Sequence, residues 1–472
     1  MTSTLVRQTL TLSGYNMAAR IAGFAGVVLI TRILGVDEYG RLAVAYAYWG
    51  LFALAGEAGL ELTIVREVST APSQITQYIG NAMLMRVIYC TCLYLLSIAI
   101  LPTLGYDPHT IELTRMALLM LFCSPLALSR AVILIGLEIP TVARLDMIAQ
   151  LLTVVAAVVA LSTGGGALQI LEWQLLATIL AQLGYLQAAW RRLPKPRMFH
   201  VDWQIWRMLI FHTAPILMTT LLTQAQMHTT RLIIASVLQP SDVAIYSVAN
   251  NLTLSVNLLP ALYFSVAYPH LVRRIGVSME AFNHLARNSF RIMLILSLPL
   301  SLLSAVSSST LIQLYAGSNF LTAAPLLSIM APSIVGHFWS STLYYVLLTR
   351  SQQRLLPWVS LALAIVETGL LILLLPHIGV LGAAIATLAM HAASIILYLV
   401  IPTSRSSVHL GLREAIQPVL ATLVVAGWVL LAQPGPLLLW VIGPIIYALT
   451  LAALYGPQSL RQMLRMALTD NI

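Results

Sequence analysis

The segment "LALAIVETGLLILLL", Leu361 to Leu375, carries one ionisable side chain in fifteen positions, and stretches like it recur along the chain. About 20 such residues form a helix long enough to cross the hydrocarbon of a bilayer. Backbone polar groups in lipid must pair within their own segment, so a long apolar run is a spanning helix or a wholly buried one. Composition decides between the two. Hydrophobic residues make up 59% of the 472 and charged residues 9%, whereas a soluble globular chain carries about 25% charged residues. Too little polar surface exists to face water on all sides. The sequence therefore predicts an all-α polytopic membrane protein.

Polar, proline and glycine punctuation divides the chain into fourteen predicted spans, at roughly 10–34, 43–64, 80–101, 114–136, 145–163, 172–190, 208–238, 243–268, 289–308, 323–347, 355–376, 380–401, 416–433 and 437–455. The first is too long for a signal-peptide core and lacks a small-residue cleavage site, which predicts a retained helix. Cys90, Cys92 and Cys123 fall within apolar segments. Their spacing suits packing better than a metal site.

The net charge of +9 would suggest nucleic acid as partner for a soluble chain. Here the basic residues set direction. With the N-terminus placed in the cytoplasm, eighteen Lys and Arg fall in cytoplasmic segments, among them Arg191, Arg192, Lys195 and Arg197. Arg32, Arg41 and Arg115 fall on the other side. That bias predicts that both termini are cytoplasmic. The remaining four, Arg20, Arg86, Arg130 and Arg231, lie within predicted spans. No loop is long enough for a soluble domain, which takes at least about 50 residues.

An internal repeat is visible at an offset of 204 positions. "LGVDEYGRLAVA" (Leu34 to Ala45) aligns without gaps with "LQPSDVAIYSVA" (Leu238 to Ala249). Each is a helix end, an acidic turn and a small-residue restart. Six spans separate the two starts, so the units share one orientation, as in parallel repeats related by an axis along the membrane normal. The predicted organisation is an N-terminal lobe over 1–195 (spans 1–6), a second lobe over 196–403 (spans 7–12), and a terminal helix pair with a cytoplasmic tail over 404–472.

Several segments, in order, resemble the polysaccharide-transporter (Wzx-type) oligosaccharide flippases of the multidrug/oligosaccharidyl-lipid/polysaccharide (MOP) exporter superfamily. They are "ARIAGFAGVVLITRILGVDEYGRLAVA" (Ala19 to Ala45), "GEAGLELTIVREVS" (Gly56 to Ser69), "RLIIASVLQPSDVAIYSVANNL" (Arg231 to Leu252), "LIQLYAGSNFLTAAPLLSIMAP" (Leu311 to Pro332) and "LLPHIGVLGAAIATLAMH" (Leu374 to His391). The resemblance implies movement of undecaprenyl-diphosphate-linked oligosaccharide from the inner to the outer leaflet of the bacterial plasma membrane. Such units build O-antigen, capsule or exopolysaccharide. It implies a monomeric, non-enzymatic carrier without a cofactor, coupled or not to a proton or sodium ion. Its partners would be the lipid-linked glycan, membrane lipids and polysaccharide polymerase machinery, with no nucleic acid. The lipid II flippases of the superfamily often carry a charged pair just after Ser-Arg-x-x-Gly-Phe. Here Ala25 and Gly26 follow "ARIAGF", a departure from that branch.

A diphosphate headgroup needs cations to pass hydrocarbon, and the planar guanidinium fork suits phosphate. A lone arginine at mid-membrane costs about 2.5–3.5 kcal/mol on insertion scales and so faces a partner or a cavity. The predicted substrate site comprises Arg20, Arg231, His228, Arg86 and Arg130. Arg231 and Arg20 read as a headgroup clamp or as structural ion pairs, and the expected partners of Arg20 are Glu57 and Glu61, four apart on one helix face. His228 shares a face with Arg231. Arg86 and Arg130 read as snorkelling to the cytoplasmic headgroups, or as capturing the diphosphate there. The coupling candidates are Glu57, Glu61 and the isolated Glu367, and no metal site is predicted. Trp339, Tyr344 and Tyr345 fit packing or stacking on sugar rings.

Two other classes compete. A drug antiporter of the same superfamily would favour carboxylates in its cavity. A membrane polymerase or ligase would need a large outer loop with basic residues, and the outer loops here are short.

Overall fold

The computed structural model describes residues 2–57, 59–70, 74–136, 138–193 and 200–456, with side chains from residue 14 onward except at 16, 70, 215, 219, 223 and 403. The basic side chains of Arg7, Lys195, Arg197, Arg461 and Arg465, used in the direction argument, lie outside the described residues. Among the described residues the chain is helical with no strand. In order the helices are α1 (Thr2–Glu57), α2 (Leu60–Thr70), α3 (Ile75–Ile100), α4 (Pro108–Leu118), α5 (Ser124–Ala127), α6 (Ser129–Ile135), α7 (Ile139–Ser162), α8 (Ala167–Trp190), α9 (Trp203–Gln224), α10 (Gln226–Val237), α11 (Pro240–Ser255), α12 (Leu258–Val277), α13 (Met279–Val306), α14 (Ser308–Ala316), α15 (Ala324–Met330), α16 (Ser333–Thr349), α17 (Leu356–Ile378), α18 (Val380–Val400), α19 (Pro402–Glu414), α20 (Ile416–Ala432) and α21 (Pro436–Tyr455). Packing divides them into two compact units, Met1–Ala244 and Ile245–Ile472.

Ten helices among the described residues are long and apolar enough to cross a membrane, or twelve when each of two bent pairs is taken as one span. The predicted fourteen are not reached for two physical reasons. The first two predicted spans run together in one helical stretch, Met17–Ser69. It is not straight: Gly35, at φ 77 and ψ 178, breaks α1 into two helices. The second reason is α8, the predicted sixth span. Gln169, Glu172, Gln174, Gln182 and Gln187 dilute its apolar surface, and it is not among the helices that qualify. The segment 309–322, which joins the ninth and tenth predicted spans, is largely α14 and a short 3₁₀ turn.

The repeat has a counterpart in the backbone. Gly35 breaks α1, and 203 positions later, one residue short of the repeat offset, the chain leaves α10 at the extended Leu238 before α11 starts at Pro240. The two turns also touch. A Cβ on Gly40 would stand 1.9 Å from the Pro240 carbonyl oxygen, so only glycine allows this backbone approach.

Local sequence explains where helices start. In "DPHT", Asp107 caps α4 by accepting from the backbone N–H groups of His109 and Thr110, and Pro108 occupies the first turn. Asp202 caps α9 in the same way through Gln204 and Ile205. Asn81 then locks this entry to α3: its side chain accepts from the Asp202 backbone and from the Trp206 indole, each at 2.9 Å.

In the second unit the core is aromatic. Phe264, Phe282, Phe290, Phe338 and Trp339 are buried together. Gly411 gives Trp339 and Phe290 the room to meet. Trp339 thus packs inside this core, and Tyr345 stacks on Phe264 at 4.4 Å. Cys90 and Cys123 are buried, whereas Cys92 is exposed.

Candidate functional site

Within the first unit, Glu61, Arg130, Asp146 and Tyr185 form one network across α2, α6, α7 and α8. Arg130 donates to Glu61 at 2.6 Å and to Asp146 at 3.3 Å. The Tyr185 hydroxyl donates to the other Asp146 oxygen. Both arginine hands are engaged by carboxylates, so Arg130 does not snorkel as expected. It joins helices.

The expected pairing of Arg20 with Glu57 and Glu61 is also corrected. Glu57 ends α1, and Gly59 at φ 67 turns the chain into α2. The two carboxylates therefore sit on different helices, and the four-residue facing rule does not apply to them. Glu61 goes to Arg130. Arg20 is exposed on α1 and has no ion pair among the described residues.

Arg86 departs from expectation in the opposite direction. Its residue is 3% exposed, where a snorkelling side chain would reach water. It lines a cavity of about 190 Å³ whose other walls include Leu60 of α2 and Ile210, Thr213 and Leu217 of α9. Cys90 one turn on, Glu57 and Glu61 act on it electrostatically. Its Nε is buried and has no hydrogen-bond partner among the described residues.

His228 and Arg231 both lie on α10, half-buried and within electrostatic reach of each other. The predicted seventh span is divided at Ala225 between α9 and α10. His228 reaches α1 through Gly50, where a Cβ would stand 2.2 Å from the imidazole Cε1.

Glu367 belongs to the second unit and is 3% exposed. It accepts from the Thr387 hydroxyl at 3.2 Å, and Thr387 meets the Tyr246 hydroxyl at 3.1 Å. This chain links α17, α18 and α11. One turn along α18 from Thr387, buried His391 packs edge-on against His337 with ring centroids 4.2 Å apart. Thr387 and Tyr246 escaped the sequence reading because single hydroxyls in apolar helices look like packing. Among the described residues no group of three or more His, Cys, Asp or Glu could hold a metal ion.

Charges outside the spans form a separate set. Arg41 reaches Glu38 at 3.3 Å and Asp107 at 3.5 Å, and His109 reaches Glu38 at 3.2 Å. Burial alone would raise the Asp107 carboxyl, but the Thr110 hydroxyl, the capping N–H groups and Arg41 outweigh it and hold it below the usual carboxylate range. Between α7 and α8, Arg192 grips Glu138 with two parallel bonds and so lowers the Glu138 carboxyl.

This arrangement of helices has solved counterparts. The lipid II flippase MurJ in an inward closed conformation superposes with a TM-score of 0.79, at 14% identity over 97% of this chain and 100% of that one. An inward-facing MATE multidrug resistance transporter of the MOP superfamily gives 0.61, at 15% identity over 83% of this chain and 94% of that one. An outward-facing MATE transporter gives 0.57, at 13% identity over 86% and 95%. No curated protein sequence matches the chain. The fold and its apolar helices define a multi-pass membrane protein with the MOP transporter architecture. More narrowly, residues 5–275 match the model of the polysaccharide biosynthesis protein family, and the chain belongs to that family.

Proposed function

We propose that the protein carries undecaprenyl-diphosphate-linked oligosaccharide from the cytoplasmic to the outer leaflet of the bacterial inner membrane, by alternating access, for surface polysaccharide synthesis. The observation that carries this reading is membership of the polysaccharide biosynthesis family in a chain with a transporter fold. The protein is then a carrier and not an enzyme, a monomer with both termini cytoplasmic, handing its cargo to polymerase machinery outside. In this reading Arg231, with His228 beside it, and Arg20 hold the diphosphate. Arg86 is the further cation of the site, and Glu367 is the coupling carboxyl for a proton or sodium ion. Arg130, Glu61 and Glu57 serve mainly as supports: Arg130 and Glu61 spend their charge on each other.

A lipid II flippase is the second reading, favoured by the superposition on MurJ. One contact argues against it. Ala25 and Gly26 stand where the lipid II branch often places a charged pair, and even a Cβ on Gly26 would require Val154, 3.1 Å away, to shift.

The test is a strain lacking the protein, complemented with the wild type or with Arg231→Ala at matched expression. Inner-leaflet lipid-linked oligosaccharide and surface polymer are measured together. The deletion is expected to accumulate the former and lose the latter, and Arg231→Ala to restore less than about a tenth of the flux, a loss of roughly 1.4 kcal/mol or more. A deletion without accumulation overturns the reading. Full rescue by Arg231→Ala removes Arg231 from the site.

A further inference from the structure

The first unit has a second, open-sided cavity, of about 310 Å³, between both halves of α1 and helices α7 and α8. Its polar lining comes from Tyr46, Trp49, Gln150, Thr153, Gln174 and Thr178. None of the residues around it carries a carboxylate, guanidinium, ammonium or imidazole. That composition selects against both cations and anions, since an ion taken out of water needs a counter-charge. Val27, Ile30, Met120 and Val154 make the rest of the lining apolar, but a hydrocarbon chain would leave the amides and hydroxyls among them unmet.

The hydrogen-bonding groups are arranged for a ligand that donates and accepts. Gln174 is 7% exposed. Its Oε1 accepts from the Tyr46 hydroxyl, while its amide N–H groups have no acceptor among the described residues. The Trp49 indole N–H is buried and likewise has no acceptor there. Thr153 and Thr178 donate to the backbone of Ala149 and Gln174, which leaves their oxygens as acceptors. Gln150 offers both kinds, and Gly23 makes space for it: a Cβ there would stand 3.0 Å from its Nε2. Helix propensity alone gives no reason to place two amide and hydroxyl pairs, Gln150 with Thr153 and Gln174 with Thr178, midway along α7 and α8. An unmet buried donor costs about 1–3 kcal/mol, so these groups call for an occupant.

Resting on the transport reading above, we infer that this cavity seats one uncharged sugar ring of the cargo. A pyranose has apolar C–H faces to lie against Tyr46 or Trp49, and hydroxyls that each donate and accept. The cavity equals roughly ten waters at about 30 Å³ each, room for one ring with a few bridging waters. The seat recognises the glycan, while the cationic residues recognise the phosphate. It makes the protein selective for cargo with a neutral residue at the position that reaches it.

The experiment measures binding of methyl glucoside, galactoside, mannoside and N-acetylglucosaminide, and of methyl glucuronide, to the purified full-length protein by saturation-transfer-difference NMR. At least one neutral glycoside is expected to saturate, and the anionic glucuronide is not. Gln174→Leu and Gln150→Leu should each weaken that neutral glycoside by roughly tenfold, about 1.4 kcal/mol. Should Gln174→Leu fail to fold, Gly23→Ala tests the seat through its other amide, by crowding Gln150. Saturation by no neutral glycoside, or wild-type binding in the Gln150 and Gly23 variants, overturns the seat. The leaflet assay separates the two ideas. Accumulation on deletion without glycoside binding defeats the seat alone, whereas binding without accumulation defeats the transport reading and leaves a sugar site.

Discussion

Arg130 in the first unit and Glu367 in the second are both ionisable groups set among membrane helices, yet their surroundings are opposite. Arg130 has a 36% exposed side chain between two carboxylates. Glu367 is enclosed, with a hydroxyl chain leading to Tyr246. Water and counter-charges screen the first site. In the second, low dielectric magnifies any change of charge. The difference is one of environment: a screened charge between two carboxylates fixes helices, whereas an enclosed carboxyl is the place where a change of charge would be felt most.

The largest effect is expected where the first unit depends on backbone contact. Gly40→Ala would drive a methyl into the Pro240 carbonyl, and a backbone cannot rotate away as a side chain can. A loss of roughly 3 kcal/mol is expected, read as a fall in the thermal midpoint in detergent. A midpoint unchanged within error would mean that the two repeat turns are not tightly joined.

Arg130→Met comes next. Removing one partner of a buried pair costs about 3–5 kcal/mol, but the exposure of this site reduces that to roughly 2 kcal/mol. Adding Glu61→Gln should recover part of the loss, because one stranded carboxylate disappears. If the double variant is less stable than the single one, Glu61 is held by something other than Arg130.

Glu367→Gln sharpens the contrast. Glutamine keeps an oxygen to accept from Thr387, so stability should change by less than about 1 kcal/mol. Ion-driven transport should nevertheless be lost, because the amide cannot take up a proton or balance a cation. Thr387→Val should instead cost about 1 kcal/mol by breaking the bridge. Retained ion-driven transport in Glu367→Gln would make the two sites alike, both structural.

The fold was more legible than the site. Apolar run lengths predict an all-helical membrane chain because lipid allows little else, and the shared offset of Gly35 and Gln239 was readable as a repeat. Counting spans was harder: Gly35 breaks a helix that hydropathy runs through, and the five polar side chains of α8 dilute a real helix below a spanning signal. Among site residues, sequence identified buried charges but not their partners. Glu57 and Glu61 look adjacent until Gly59 turns the chain. Arg86 near a predicted helix end looks like a snorkelling side chain, and only the approach of α9 buries it. Gln150 and Gln174 each place an amide at mid-helix, a signal weaker than a charge because an amide bears none.

The smallest effect lies at Asp107, outside the spans, where exposure is similar to that of Arg130 but the role is a helix cap. Asparagine caps nearly as well as aspartate, so Asp107→Asn removes only the charge interaction with Arg41 and the α4 N-terminus, about 0.5 kcal/mol. The sign follows from its lowered carboxyl. A depressed folded-state value stabilises the fold above the unfolded carboxylate range, near pH 4, and that contribution is lost as pH falls through the lower folded value. Wild type should therefore exceed Asp107→Asn at pH 7 and converge with it below about pH 4. The thermal midpoints of both proteins between pH 3 and pH 7, about the span of that titration, measure it. Parallel curves with a constant gap would assign the difference to the amide's shape. In that case Arg41 acts on Glu38 alone, and the charge of the cap is incidental.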